Sequence, residues 1–316
     1  MVRTVLFLII TLTAVVYFAF TSNIFDVSLN DVQMAALITM TKLYLASCLY
    51  CFFVSELAEN YSQVDKFWST IPIAYVWYFA FASDMNSRML LMAILATIWG
   101  VRLTFNFARK GGFSIYFWKG EEDYRWVEVR KKMPFLAGRF NWSLFNLFFI
   151  CLYQMGLIFL FTLPILAAWQ GAEVPLFWAD YLIAFFMFLF IILETISDQQ
   201  QYDFQIKKNQ LINSGNKLDG DYKLGFRTSG FWALSRHPNF ACEQAIWVIF
   251  YLFSVSATGL WLNWSIIGCF LLIILFYNSA NFSEEISSRK YSDYKNYINN
   301  VPMFFPILGI PKKDWK

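Results

Sequence analysis

The sequence predicts an all-α fold: a polytopic transmembrane helical bundle of about eight spans, with three observations behind it. Of 316 residues, 58% are hydrophobic and 15% are charged, where soluble domains carry about 25% charge. Mean hydropathy is +0.46, an apolar excess that a bilayer accommodates and water does not. The excess is gathered into runs near the length a helix needs to cross a hydrocarbon core, about 20 residues. Finally, 20 of the 25 lysines and arginines fall in three segments between those runs.

Taken in order, the apolar runs lie at 2–20, 34–55, 67–83, 89–108, 143–167, 175–197, 240–258 and 260–278. The first begins like a signal peptide, with Arg3 ahead of an apolar core, but no small-residue cleavage site follows Phe20, so it is read as a span. The third is short and interrupted by Pro72, which widens the count to seven to nine. The last two are expected to join through a tight turn near Thr258 and Gly259.

Basic residues orient these spans. Residues 109–142 hold Arg109, Lys110, Lys119, Arg125, Arg130, Lys131, Lys132 and Arg139. Residues 199–239 hold Lys207, Lys208, Lys217, Lys223, Arg227 and Arg236, and the tail from 279 holds six more. Two spans separate each segment from the next, so all three are expected on the cytoplasmic side, with both termini. The opposite loops, 21–33, 84–88 and 168–174, carry one basic residue, Arg88. Residues 1–84 are read as N-terminal transmembrane helices and 85–316 as the part bearing the polar motifs, together one integral-membrane unit.

Composition also excludes. A net charge of +3 offers no footprint for nucleic acid. His237 is the single histidine, so no multi-histidine metal site can form and no metal is expected. Five cysteines make no disulfide framework, and Cys48-x-x-Cys51 lies in an apolar run, where helix packing accounts for it.

Polar groups inside or at the mouths of spans are costly and become the site candidates. Trp99, Arg102, Asn106 and Arg109 recur at helical spacing on the fourth run. Arg102 is the deepest cation, about 10 Å along the helix from Arg109. Glu194 and Asp198 share a face of the sixth run, just before Gln199, Gln200 and Gln201. The seventh opens with Ser235-Arg236-His237-Pro238-Asn239, and Asn239 and Glu243 are one turn apart. After the eighth, Asn278, Asn281 and Glu285 share a face with Glu284 beside it. An acceptor, an amide and a basic pair at one helix mouth suit a nucleotide-like cofactor.

These segments, in order, resemble the steroid 5α-reductase-like membrane oxidoreductase family, in its large, mostly uncharacterised branch. The landmarks are Trp99-Gly100-Val101-Arg102-Leu103, Glu122-Asp123-Tyr124-Arg125-Trp126, Glu194-Thr195-Ile196-Ser197-Asp198-Gln199, Ser235 to Phe240 followed by Glu243, and Tyr291-Ser292-Asp293-Tyr294 with Val301 to Pro306. They extend from about Met85 to Pro306, about two thirds of the chain, and mark 85–316 as a reductase-like catalytic domain.

The resemblance implies a bundle that binds NADPH from the cytoplasmic side and reduces a polarised C=C bond in a lipid or steroid-like substrate. By position it makes Asn239, Glu243, Asp198 and Arg102 cofactor contacts. Arg227 and Arg236 are candidates for the 2′-phosphate, because a guanidinium fork matches phosphate oxygens. Trp99 and Asn106, on the Arg102 face, are the substrate-side candidates. A donor must meet the negative charge that develops on the substrate carbonyl, and Tyr124, His237 and a protonated Glu243 are the candidates. His237 equally suits a helix cap and loop anchor. Steroid reductases carry tyrosine where this chain has Trp99, whose indole donates a hydrogen bond but no proton. That departure weighs against a steroid and leaves reduction of another substrate open.

A more distant similarity reaches isoprenylcysteine and phospholipid methyltransferases, which have an Arg-His-Pro before a helix and a Glu-Glu pair after the next span, here Glu284-Glu285. Their cofactor is S-adenosylmethionine. A non-enzymatic membrane protein is the third reading. The expected partners are membrane lipids and a hydrophobic small molecule entering from the bilayer, with no nucleic acid or metal and with oligomeric state unspecified. The membrane is the endoplasmic reticulum in a eukaryote and the inner membrane in a bacterium.

Overall fold

The computed structural model describes residues 28–306 together with Ile10, Thr13 and Tyr17, so the expected span at 2–20 lies almost wholly outside the described residues. All regular structure among the described residues is helical. The helices are α1 (Asp31–Ala58), α2 (Gln63–Trp68), α3 (Ile71–Ala82), α4 (Ser87–Ala108), α5 (Tyr124–Lys132), α6 (Arg139–Gln170) and α7 (Trp178–Asn213). Then follow α8 (Gly220–Leu224), α9 (Pro238–Thr258), α10 (Ile266–Lys290) and α11 (Tyr294–Asn300). Six of them, α1, α4, α6, α7, α9 and α10, are long and apolar enough to cross a bilayer. The chain is a multi-pass helical membrane protein. It divides into two compact units, Met1–Ala184 with Phe250–Leu271, and Phe185–Ile249 with Leu272–Lys316.

In the first unit, α1 starts at a capping box: the Asn30 side chain accepts from Gln33 N at 2.9 Å, and the Gln33 side chain accepts from Asn30 N at 3.1 Å. The third apolar run is two helices rather than one short span. Pro72 sits in the first turn of α3, where its missing N–H is tolerated, and the chain breaks at Ser69–Thr70. Trp77 Nε1 donates to Thr97 Oγ1 at 2.9 Å, and the hydroxyls of Ser69 and Thr104 are 2.7 Å apart. The broken run therefore lies antiparallel to α4 along most of its length. Gly100 permits the closest approach, since a Cβ there would stand 2.6 Å from the Ser69 carbonyl oxygen.

The fifth run widens to a π-helix at Asn146–Tyr153. Such a turn redirects carbonyls, and two are taken by α1: Tyr44 donates to Leu152 O at 3.2 Å and Cys48 Sγ to Cys151 O at 3.7 Å. Asn146 Nδ2 bridges Ser55 Oγ and Glu56 Oε1 at 2.8 Å each, and Ser143 Oγ donates to Glu56 Oε2 at 2.6 Å. All five cysteines are buried thiols.

Arg88, the lone basic residue of the sparsely charged loops, is 1% exposed and forks onto Asp180 at 2.9 and 3.0 Å. Its remaining donors reach Val174 O at 2.9 Å and Pro175 O at 3.0 Å, and Asp180 also accepts from Ser256 Oγ at 2.8 Å. The last two spans do not meet in the expected tight turn. Asn263 Oδ1 accepts from Ser265 N at 3.1 Å and Oγ at 2.7 Å, while its Nδ2 donates to Ser254 Oγ at 2.9 Å. That capping network holds 259–265 out of helix and delays α10 to Ile266, leaving Trp261 and Leu262 exposed.

Where the basic loop 109–123 ends, Asn60 to Lys66 clamp it. Tyr61 N donates to Glu122 Oε1 at 2.7 Å, and Asp123 N donates to Ser62 Oγ at 2.9 Å. Asp65 stands beside this knot. Burial, reinforced by the nearby Asp123 carboxylate, pushes its acid up to about 6. Burial works against ionised Asp123 too, but the adjoining Arg125 guanidinium prevails and holds that carboxyl below its ordinary value.

The second unit is built around Phe226, Tyr294, Tyr297 and Val301. Gly225 closes α8 at φ 85°, and a Cβ there would lie 2.4 Å from the Tyr291 ring, so both conformation and contact require glycine.

Candidate functional site

Helix α7 presents Glu194 and Asp198 one turn apart, 3% and 5% exposed. Helix α9 begins at Pro238, whose fixed φ suits a first turn, so Asn239 and Glu243 also stand one turn apart at its mouth. The two faces meet: Asn239 Nδ2 donates to Asp198 Oδ1 at 3.2 Å. Glu243 is 4% exposed and accepts from Trp247 Nε1 at 3.1 Å. With its amide donor given to a carboxylate, Asn239 is left with an acceptor, Oδ1, which is buried and makes no hydrogen bond among the described residues. A buried carbonyl without a donor is costly. A group placed against it would have to offer N–H or O–H to satisfy that oxygen.

Arg227 is tied to α7 just beyond Asp198, with Nη1 donating to Gln200 O at 2.7 Å and Nε to Ser229 O at 3.1 Å. Its Nη2 makes no hydrogen bond among the described residues. It lines a cavity of about 350 Å³ with Phe204, Asp219, Gly220, Asp221, Tyr222 and Ser229, in which the Phe204 and Tyr222 rings stack at 5.2 Å.

Arg236 and His237 do something else. Arg236 forks onto Glu284 through Nε at 2.7 Å and Nη2 at 3.2 Å, and its Nη1 donates to Ile298 O at 3.0 Å and to Val301 O. His237 Nε2 lies 2.9 Å from Glu284 Oε1, and the carboxylate can only accept, so that nitrogen carries the proton. The backbone joins in: Arg236 N donates to Pro302 O at 2.9 Å and His237 N to Met303 O at 3.0 Å. The motif Ser235 to Pro238 thus fastens the segment after α11 to the start of α9. Arg236 was a 2′-phosphate candidate, but its fork is occupied by Glu284 and two carbonyls. Arg227 is the arginine of that pair with an open donor.

In the first unit, Trp99 is fully buried on α4, Arg102 is half-buried, and Asn106 Oδ1 accepts from Arg109 Nε at 3.0 Å and Nη2 at 2.7 Å. Tyr124 is 57% exposed at the first position of α5, after its N-cap Asp123.

Sequence reasoning missed the centrality of Glu284, which it placed beside the polar face of Asn278, Asn281 and Glu285. Asn281 and Glu285 are exposed, whereas Glu284 is 6% exposed and gathers Arg236 and His237. A carboxylate ending one span while Arg-His opens its neighbour was the available signal. It also passed over Asn146, an amide inside a long apolar run and visible as such.

Among the described residues, no group of three or more His, Cys, Asp or Glu side chains is placed to hold a metal ion. A family model described as a protein of unknown function (DUF1295) matches residues 51–301. An uncharacterised protein of Schizosaccharomyces pombe is 36% identical over 268 residues, which covers 81% of this chain and 75% of that protein. No solved structure matches the chain. It belongs to the DUF1295 family, which is related to the steroid 5α-reductase-like proteins.

Proposed function

We propose that the protein binds NADPH against α7 and α9 and reduces a polarised C=C bond in an apolar, membrane-borne substrate. The observation that carries this reading is the Asp198–Asn239 pair, which leaves Asn239 Oδ1 buried as an acceptor for a carboxamide N–H. When bound, the cofactor supplies the hydride. Asp198 fixes the Asn239 amide in one orientation, and Glu243, held by Trp247, adds a second acceptor for N–H or hydroxyl groups. Arg227 Nη2 is the donor suited to phosphate oxygens. Of the candidates for the proton, His237 and a protonated Glu243 belong to the same unit as Asp198 and Asn239. The His237 Nε2 proton is engaged by Glu284, which favours the anchoring role for that ring.

The buried acids Glu194, Asp198 and Glu243 support a second reading, since carboxylates out of water also suit the sulfonium of S-adenosylmethionine. Thermal unfolding in detergent with NADPH, NADH or S-adenosylmethionine separates the two. Under the first reading NADPH raises the midpoint, a ligand at a hundred times Kd adding about 2.7 kcal/mol, and Asn239→Leu removes the rise. A rise with S-adenosylmethionine alone supports methyl transfer, and no response to any of the three supports the non-enzymatic reading.

A further inference from the structure

The connection from α4 to α5 carries Phe113-Ser114-Ile115-Tyr116-Phe117-Trp118-Lys119. Its large side chains face outward: Ile115 is 100% exposed, Phe117 56% and Tyr116 55%. A slack loop would fold such groups onto the protein, but this backbone is pinned. Lys66 Nζ donates to Phe117 O and Lys119 O at 2.8 Å each, Gln63 Nε2 to Trp118 O at 3.1 Å, and Asn60 Nδ2 to Gly120 O at 2.9 Å. Lys66 is itself only 8% exposed, so a buried ammonium is committed to holding two loop carbonyls. The aromatic rings brace one another, with Phe117 edge-on to Trp118 at 4.8 Å and the Lys119 ammonium 5.1 Å over the Tyr116 ring.

We propose that residues 113–119 are a rigid interfacial anchor, seating Ile115, Tyr116 and Phe117 at the headgroup–acyl boundary and setting Lys119 against anionic lipid phosphates. Three observations select lipid as the occupant. The loop leaves the spanning helix α4 within five residues of Ala108, so the bilayer surface is continuous with it. Its composition, aromatic and aliphatic tips beside Lys110 and Lys119, matches what partitions to a membrane interface. Both lysines are exposed, as charge complementarity with an anionic leaflet requires.

The test uses the full chain in nanodiscs of phosphatidylcholine with or without phosphatidylserine. Because the five native cysteines are buried, Ile115→Cys accepts a nitroxide label, and Lys217→Cys in another exposed loop is the aqueous reference. The anchor requires the label at 115 to collide with oxygen in preference to a water-soluble nickel chelate, with the opposite preference at 217. Lys119→Gln should weaken binding of fluorescent phosphatidylserine about fivefold, the effect of one basic residue at an anionic surface. Nickel access at 115 equal to that at 217 overturns the proposal, because the loop then stands in water. Exclusion of both reagents overturns it too, because protein then covers the loop.

Discussion

A single buried cation shows how far one residue's role depends on its partner. Arg88 and Asp180 satisfy each other bidentately, and carbonyls and Ser256 take up the remaining bonding capacity. Removing one member strands a charge out of water. Arg88→Met should therefore cost about 3–5 kcal/mol, and adding Asp180→Leu should recover much of it, as for other buried pairs. Unfolding in mild detergent, followed by circular dichroism, measures both, and a double variant less stable than Arg88→Met would refute the account. Asp65 is a residue-scale case of opposite sign. Its pKa rises from 3.8 to about 6 on folding, so between those values the folded chain binds more protons than the unfolded one. Its contribution favours folding at low pH and is lost as pH rises through 6. Asp123, whose pKa is lowered, acts only below the ordinary carboxylate range and leaves that window to Asp65. Asp65→Asn should therefore raise the unfolding midpoint at neutral pH and flatten its fall between about pH 4 and 7. A variant with the wild-type slope would assign that slope elsewhere.

Among the elements, the α9 mouth carries two tasks on adjacent residues. Ser235, Arg236 and His237 hold the segment after α11, and one turn on, Asn239 pairs with Asp198 and Glu243 with Trp247 at the edge proposed to face the cofactor. Arg236→Ala should leave Glu284 with His237 alone and loosen residues 298–303 by freeing the Ile298 and Val301 carbonyls, while the backbone bonds to Pro302 and Met303 stay. Hydrogen exchange in that segment should then quicken while exchange in the middle of α9 does not. Unchanged protection at 298–303 would show that the aromatic core of Phe226, Tyr294 and Tyr297 suffices. The third apolar run shows how an element can be misjudged from hydropathy. Its composition suits one helix, but the chain breaks at Ser69–Thr70 and Pro72 starts a new one, so the run is divided between α2 and α3.

Across the whole molecule, hydropathy and charge are arranged as a multi-pass protein requires. Two long apolar helices, α6 with α7 and then α9 with α10, separate each basic segment from the next, so all three are expected on one side of the membrane. Labelling in sealed vesicles with a membrane-impermeant thiol reagent should then find Lys132→Cys and Lys217→Cys on one side and Trp261→Cys on the other. Equal reactivity of all three from one side would break the charge map.

The class of this protein was legible in its sequence because helix hydrogen bonds are local and a bilayer demands long apolar runs. Periodicity likewise placed Glu194 with Asp198, and Asn239 with Glu243, on shared faces. It could not say which face meets which. Asp198 finds Asn239 at 41 residues' distance, Arg236 finds Glu284 at 48, and Arg88 finds Asp180 at 92. Arg227 and Arg236 look equivalent as sequence, and only packing commits one to a carboxylate while leaving the other a donor. Desolvation makes every buried polar group need a partner, but the tertiary structure chooses it.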